Sequence, residues 1–350
     1  EELEVVLSDG SVCTLKKLEN EALSAKLAEQ SLEGDIYRGV AAILKEHKSV
    51  IEAAQPTVTK NSAGYALWDI GDGEKSLNLA RLVSGSQGTL GIITKIKFSL
   101  VRPKPYSSMV VMFLSELKEL STIVPDVLAD KPDSFESYDD HTFALAVKYF
   151  PEFALQMKGN LFTLGWSFLP EVLMAATGGV PKLILLAEFR GETQAEALTK
   201  AEALFARLKK DNPHLNARIA KNEAESRKYW VVRRESFNLL RKKVRGMRTA
   251  PFIDDFVVPP MTLPEFFPKL TEILSHYDLT YTVTGHVGDG NSPILPLIDP
   301  TRKDMAQVIA ELSHKVYDLV LSYKGSIRGE HNDGIVRTPY VEKMFGSEMY

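Results

Sequence analysis

Cysteine is almost missing from this chain: Cys13 is the single one among 350 residues. An internal disulfide and a cysteine-built metal cluster are therefore excluded, and a reducing, cytoplasmic setting is expected. A half-buried place in a strand accounts for Cys13 itself. Charge of one sign is not in excess either. Lys and Arg number 42 against 46 Asp and Glu, a net charge of −4, so there is no general attraction to nucleic acid or acidic membrane surfaces. Neither is an expected partner. No run of about 18 apolar residues occurs, which excludes a membrane-spanning helix. Low-complexity tracts and short-period repeats are also missing. What remains is 44% hydrophobic and 25% charged, the composition of a soluble globular protein with two or three domains or one large one.

Against that ordinary background two loops stand out. Gly285-His286-Val287-Gly288-Asp289-Gly290-Asn291 is answered about 40 residues later by Gly325-Ser326-Ile327-Arg328-Gly329-Glu330-His331-Asn332-Asp333-Gly334. Each gathers imidazole, carboxylate and amide groups in glycine-rich backbone, which takes positive φ and approaches ligands closely. Polar loops delivered by apolar strands and helices are where sites are built.

The surrounding pattern gives an organisation. Residues 3–18 read as a hairpin turning at Asp9-Gly10, and 20–55 as helical, stopped by Pro56. A glycine-rich stretch, Gly85 to Gly91, leads into a strand from Ile92 to Leu100, and Arg102-Pro103-Lys104-Pro105 marks a domain edge. Beyond it strands and helices alternate. Strands are expected at 108–114, 135–138, 183–189, 253–258 and 279–284, and helices at 117–128, 141–150, 193–210, 223–244, 263–277 and 305–323. Such β-α-β blocks with antiparallel returns indicate an α+β domain with helices against one sheet.

Gly85-Ser86-Gln87-Gly88-Thr89-Leu90-Gly91-Ile92-Ile93-Thr94, followed by Arg102-Pro103-Lys104-Pro105, resembles the second half of the FAD-binding domain of the vanillyl-alcohol-oxidase superfamily. The His286 and Glu330-His331 motifs resemble the cap domain of its FAD-linked D-2-hydroxy-acid dehydrogenases. That group includes D-lactate dehydrogenase and the glycolate oxidase flavin subunit. The resemblance implies that residues 1–105 are the C-terminal part of the FAD-binding domain. Residues 106–350 would be an α+β, ferredoxin-like cap with an antiparallel sheet. It also implies a piece of a longer protein, with the pyrophosphate-binding subdomain before Glu1 and a short segment after Tyr350. Alone, such a piece would hold FAD weakly.

The resemblance assigns roles. Gly85, Ser86, Gln87, Gly88, Thr89, Leu90, Gly91, Ile92 and Ile93 would run along FAD. His331 would take the hydroxyl proton of a small D-2-hydroxy acid of the D-lactate or glycolate class; imidazole suits proton transfer near neutral pH. Arg234, from Arg233-Arg234-Glu235, would bind the substrate carboxylate, for which a guanidinium fork is well shaped. Asn291 would touch the substrate, or else serve its own turn, since Asn tolerates left-handed backbone. His286 and Glu330 would be ligands of a divalent metal such as zinc. A second histidine is expected at position 293, where Pro293 stands. Catalytic zinc normally keeps three protein ligands, so a degraded metal site is expected. A second reading follows from Pro293: a binding module that keeps the flavin fold without catalysis. Asn238 and Ile253 depart from the pattern of the 2-hydroxyglutarate enzymes and speak against that substrate. Arg241-Lys242-Lys243, Arg245 and Arg248 are either solvated helix charge or a docking face for an electron acceptor or iron–sulfur partner.

Overall fold

The structure, a computed structural model, describes residues 1–148, 180–243 and 246–350, without the side chains of 145–148 and 235–243. It divides by compactness into two units, Glu1–Arg102 with Ser326–Tyr350, and Pro103–Gly325. This differs from the sequence division at 105, which kept 326–350 with the second stretch.

The first unit is built on a four-stranded sheet of order β3-β2-β1-β4. Its strands are β1 (Glu2–Val6), β2 (Val12–Glu19), β3 (Ser76–Asn78) and β4 (Ile92–Lys97). Strict alternation in β1 and β2 sends Leu3, Val5, Cys13 and Leu15 to one face, as the two-residue period of a strand requires. There they pack with Leu23, Tyr37, Leu44 and Ile51 from helices α1 (Asn20–Ala28), α2 (Leu32–Glu46) and α3 (Lys48–Ala54). Ser31 caps α2 by accepting from the Gly34 N–H at 3.1 Å. Cys13 is buried more deeply than its sequence suggests, and burial pushes its thiol pKa up. β4 is an edge strand with Ile92, Ile93 and Ile96 exposed.

The second unit carries a seven-stranded sheet of order β8-β5-β7-β6-β10-β11-β9, antiparallel at every pairing. Four of its strands, β5 (Tyr106–Leu114), β6 (Ser134–Asp139), β7 (Leu183–Gly191) and β8 (Asn216–Ala220), lie in the order 4-1-3-2 of a ferredoxin-like βαββαβ fold. Helices α4 (Leu120–Ala129) and α5 (Gln194–Asp211) are its crossovers. β9 (Arg248–Thr249), β10 (Thr280–Gly285) and β11 (Ile294–Ile298) extend the sheet beyond β6. Met109 to Leu114 reads as a continuous apolar run because both faces are covered. Val110, Met112 and Leu114 face a core shared with α4, α5, α6 (Leu263–Ser275) and α7 (Met305–Ser322). Met109, Val111 and Phe113 face Tyr229 and Val232 of α8 (Glu223–Lys243).

Two readings change. The segment 253–258 is not a strand; it makes an isolated bridge from Val257 to Asn291. Pro251 and Pro259 bracket it, and Asp255 takes a left-handed φ of 62°, which breaks extended geometry. The strands β8 and β11 went unpredicted, being short and, in β8, polar. The helix expected over 141–150 runs from Asp140 to Lys148, and the remainder lies outside the described residues.

Candidate functional site

Within the second unit, sheet register assembles a charged cluster. β10 pairs antiparallel with β6 through Thr284↔Tyr138 and Gly285↔Ser137. The next step brings His286 opposite Glu136. His286 Nδ1 lies 2.8 Å from Glu136 Oε1. The other oxygen, Oε2, is 2.5 Å from Arg233 Nη2. Glu136 is buried on the sheet face covered by α8. A buried carboxylate is tolerated when paired; here Oε1 is at hydrogen-bond distance from His286, while Oε2 has the Arg233 charge beside it without a hydrogen bond. Sequence reading did not single out Glu136, and of the arginine pair it assigned Arg234 to the substrate carboxylate. The available signals were a carboxylate inside a half-buried strand and helical phase. Arg233 lies four residues after Tyr229, which is buried, so it shares the inward face. Arg234 is exposed; its guanidinium stacks 5.0 Å over the Trp230 ring and lines an open groove with Arg190, Arg227, Glu188 and Ser134.

The His286 loop closes through a short turn over Val287–Asp289. Asn291 is buried, and its amide donates to Asp255 Oδ1 at 3.0 Å and to the Phe256 carbonyl at 3.2 Å. Asn291 does not take the left-handed backbone of its expected turn role; its amide ties the loop to the 255–256 segment instead. The carbonyl of Pro293 accepts from the Thr284 N–H at 3.3 Å.

Within the first unit, the segment 326–334 is stitched to two others. Ser62 N–H donates to the Arg328 carbonyl at 3.1 Å. Asn332 donates to the carbonyls of Ser62 and Gly85 at 2.9 and 3.1 Å. Gly64 N–H donates to Asp333 Oδ2 at 2.7 Å, and Gly334 N–H to Gln87 Oε1 at 3.0 Å. His331 is exposed on this tied loop. Glu330 is paired with Lys60 at 2.6 Å.

The same segments wall a cavity of about 280 Å³ lined by Gly85, Ser86, Gln87, Thr89, Tyr65 and Phe345, among others. Gly88 has φ +80° and open space where a side chain would stand, so a ring system could approach its backbone. The other members of the expected wall have visible duties. Ser86 and Thr89 hydroxyls donate to the carbonyls of Val83 and Ser86. A side chain on Gly91 would meet Val5 Cγ1 at 2.7 Å, so that glycine serves β1–β4 packing. Leu90, Ile92 and Ile93 are exposed.

The metal donor set does not fit zinc. Pro293 offers no side-chain donor and Glu330 already holds Lys60. Asp139, Asp140 and His141 bring three possible ligand atoms within 4.8 Å of one another. Their atoms are engaged, however. The Thr142 and Val283 N–H groups donate to Asp139, and Lys182 donates to Asp140. Of the expected basic patch, the side chains of Arg241 to Arg245 lie outside the described residues.

Burial pushes the Asp333 carboxyl pKa up, although the Gly64 N–H and the Arg328 charge oppose the shift. An acid whose folded pKa is raised binds more protons folded than unfolded between the ordinary value and the folded one. Stability therefore falls as pH rises through that window. Asp333→Asn keeps an oxygen for Gly64 and does not titrate. Urea unfolding at a series of pH values is expected to show the variant gaining on the wild type as pH rises from about 4 toward neutrality. A constant difference would refute the burial argument.

Comparison with known proteins agrees with the architecture. The chain is 26% identical over 355 residues to D-2-hydroxyglutarate dehydrogenase of Pseudomonas putida, covering 100% of this chain and 33% of that protein. It is 26% identical over 279 residues to glycolate oxidase subunit GlcD of Bacillus subtilis, covering 77% of this chain and 52% of that protein. The chain thus spans about a third of the length of the first relatives and half that of the second. Among solved structures, p-cresol methylhydroxylase with substrate bound matches with a TM-score of 0.58 at 13% identity, over 99% of this chain and 60% of that one, a likeness of fold alone. Among the described residues no helix is long and apolar enough to cross a membrane. The model of the FAD linked oxidases, C-terminal domain, matches residues 103–350, and the chain belongs to that family.

Proposed function

We propose that this chain is part of an FAD-dependent oxidoreductase that oxidises a small D-2-hydroxy acid of the D-lactate or glycolate class. One observation carries most weight. The Glu330-His331 loop is hydrogen-bonded to the glycine-rich segment 85–87 within one compact unit, which supports reading the first as carrying the base and the second as a flavin wall. Bound FAD would supply the hydride acceptor for the substrate α-carbon, while orientation would be the protein's task. Gly85 to Thr89, Tyr65 and Phe345 would hold the cofactor. His331 would take the hydroxyl proton, and Arg234 would hold the carboxylate through a bidentate fork. An electron acceptor or iron–sulfur partner would reoxidise the flavin. The flavin-loaded protein should bleach anaerobically with D-lactate or glycolate and stay yellow with the L-acid. Full-length protein that remains colourless after FAD addition, or that neither D-lactate nor glycolate bleaches, would sink the proposal.

No step is routed through a metal, because the donor set is incomplete. Chelators are expected to leave activity unchanged. Pro293→His, by supplying an imidazole, is expected to raise zinc affinity by at least tenfold, about 1.4 kcal/mol. One equivalent of zinc that resists dialysis from the unmodified protein would contradict this.

A further inference from the structure

We propose that Asp333 accepts, through Oδ1, the ring N–H of the FAD isoalloxazine, and that the Gln87 amide donates to a ring carbonyl beside it. This rests on the proposed function, in which the segment from Gly85 to Thr89 is a flavin wall. Asp333 lines the cavity of about 280 Å³ and is 5% exposed. Its Oδ2 accepts from the Gly64 N–H at 2.7 Å, whereas Oδ1 is buried without a hydrogen-bond partner. Leaving a buried acceptor unpaired is costly, so such an atom on a cavity wall points to a ligand donor. The hydroxyls around it are already engaged. Tyr65 shares a hydrogen bond with Thr89 at 2.6 Å, Ser86 donates to the Val83 carbonyl, and Thr338 donates to the Gly334 carbonyl. Gln87 lines the same cavity, and its Oε1 accepts from the Gly334 N–H at 3.0 Å. That bond leaves the Gln87 NH₂ as a donor, held beside the residue that follows Asp333.

An acceptor beside a donor selects among the parts of FAD. A carboxylate repels the phosphates. The oxidised isoalloxazine has a single N–H, flanked by two carbonyls, so that edge offers the complementary donor and acceptor. Adenine offers a similar edge through its amine and the neighbouring ring nitrogen. The loop decides between them. His331 is two residues from Asp333, at most about 7 Å along the chain, and a base for the substrate hydroxyl must lie at the reacting end of the cofactor. Adenine is at the other end. The cavity is slightly smaller than the roughly 300–1,000 Å³ of a drug-sized ligand site, so it takes one ring system and not the whole cofactor. A carboxylate there would also oppose the negative charge that the ring system gains on reduction, and charge near the ring is one of the levers a protein has on a flavin.

The test is NMR of the full-length protein loaded with FAD that carries ¹⁵N at the ring N–H. In the wild type this N–H should exchange slowly and resonate downfield of its place in free FAD. In Asp333→Asn the amide carbonyl must stay with the Gly64 N–H, which turns the NH₂ toward the ring as donor against donor. The downfield shift and the slow exchange should then be lost. The oxidised–reduced equilibrium of the flavin should also move at least tenfold toward the reduced form, about 30 mV for a two-electron couple. A merely structural role for Asp333 would move neither. A wild-type N–H at its free position overturns the proposal without any variant, as would happen if the cavity held adenine. A D333N protein that keeps the wild-type shift overturns it too, and an unchanged potential overturns the charge assignment. Protein that binds no FAD would refute the proposed function and this proposal together. A downfield N–H in a protein whose flavin no acid bleaches would refute the proposed oxidation and leave the Asp333 assignment standing.

Discussion

His331→Ala in the flavin-loaded protein is expected to slow anaerobic flavin bleaching by D-lactate or glycolate by about 10²–10⁴-fold, the usual contribution of a positioned general base. The loss should fall on kcat, because the interaction removed operates while the hydroxyl proton moves. His331 owes its position to neighbours. Asn332 donates to the carbonyls of Ser62 and Gly85, and the Asn332 N–H donates to Ser62 Oγ at 3.0 Å. Those bonds limit how far the exposed imidazole can wander. Arg234→Lys is expected to act differently, raising KM by replacing a planar fork with a point charge. Stopped-flow single turnovers over a range of acid concentrations separate the two. A bleaching rate unchanged by His331→Ala would remove His331 from the chemistry.

Gly290→Ala is expected to destabilise the second unit by about 3–5 kcal/mol, in the range reserved for severe backbone or core damage. Gly290 has φ +71°, and an added Cβ would lie 1.7 Å from the Val258 carbonyl oxygen and 2.9 Å from its carbon. Left-handed backbone alone costs a non-glycine residue about 1–2 kcal/mol. The overlap is with backbone and cannot be relieved by turning a side chain. Val258 N–H donates to the Gly290 carbonyl at 3.1 Å, so separating the two segments also breaks that bond. The His286 turn would move with it, disturbing the Glu136 contact. Urea unfolding followed by near-ultraviolet circular dichroism would measure the effect. A loss below about 1 kcal/mol would show that the turn relaxes freely.

Much of the architecture was legible because it is locally written. The apolar run Met109–Leu114 announces a strand covered on both faces. The spacing of Ala197, Ala201, Leu204 and Leu208 gives α5, whose same four residues are buried. The two polar loops were visible from their glycines and imidazoles. The strand expected over 253–258 fails for a local reason with a distant cause. Asp255 turns left-handed where its carboxylate meets the amide of Asn291, and nothing in Ile253-Asp254-Asp255-Phe256 declares that partner. β8 was hidden because a short edge strand needs few apolar side chains once β5 supplies its hydrogen bonds.

By itself the sequence determined most of the long elements, the glycine turns and the candidate chemistry, since helical and strand periods and glycine's φ act over a few residues. Only the tertiary structure decided which charges meet. Glu136 and His286 are 150 residues apart, and their contact depends on the order β7-β6-β10 and on a register that a one-residue slip would reverse. Which arginine turns inward, Arg233 or Arg234, likewise depends on the phase of α8 over Tyr229 and Val232. Such choices are made by the burial of whole faces at once, so no short stretch of sequence contains them.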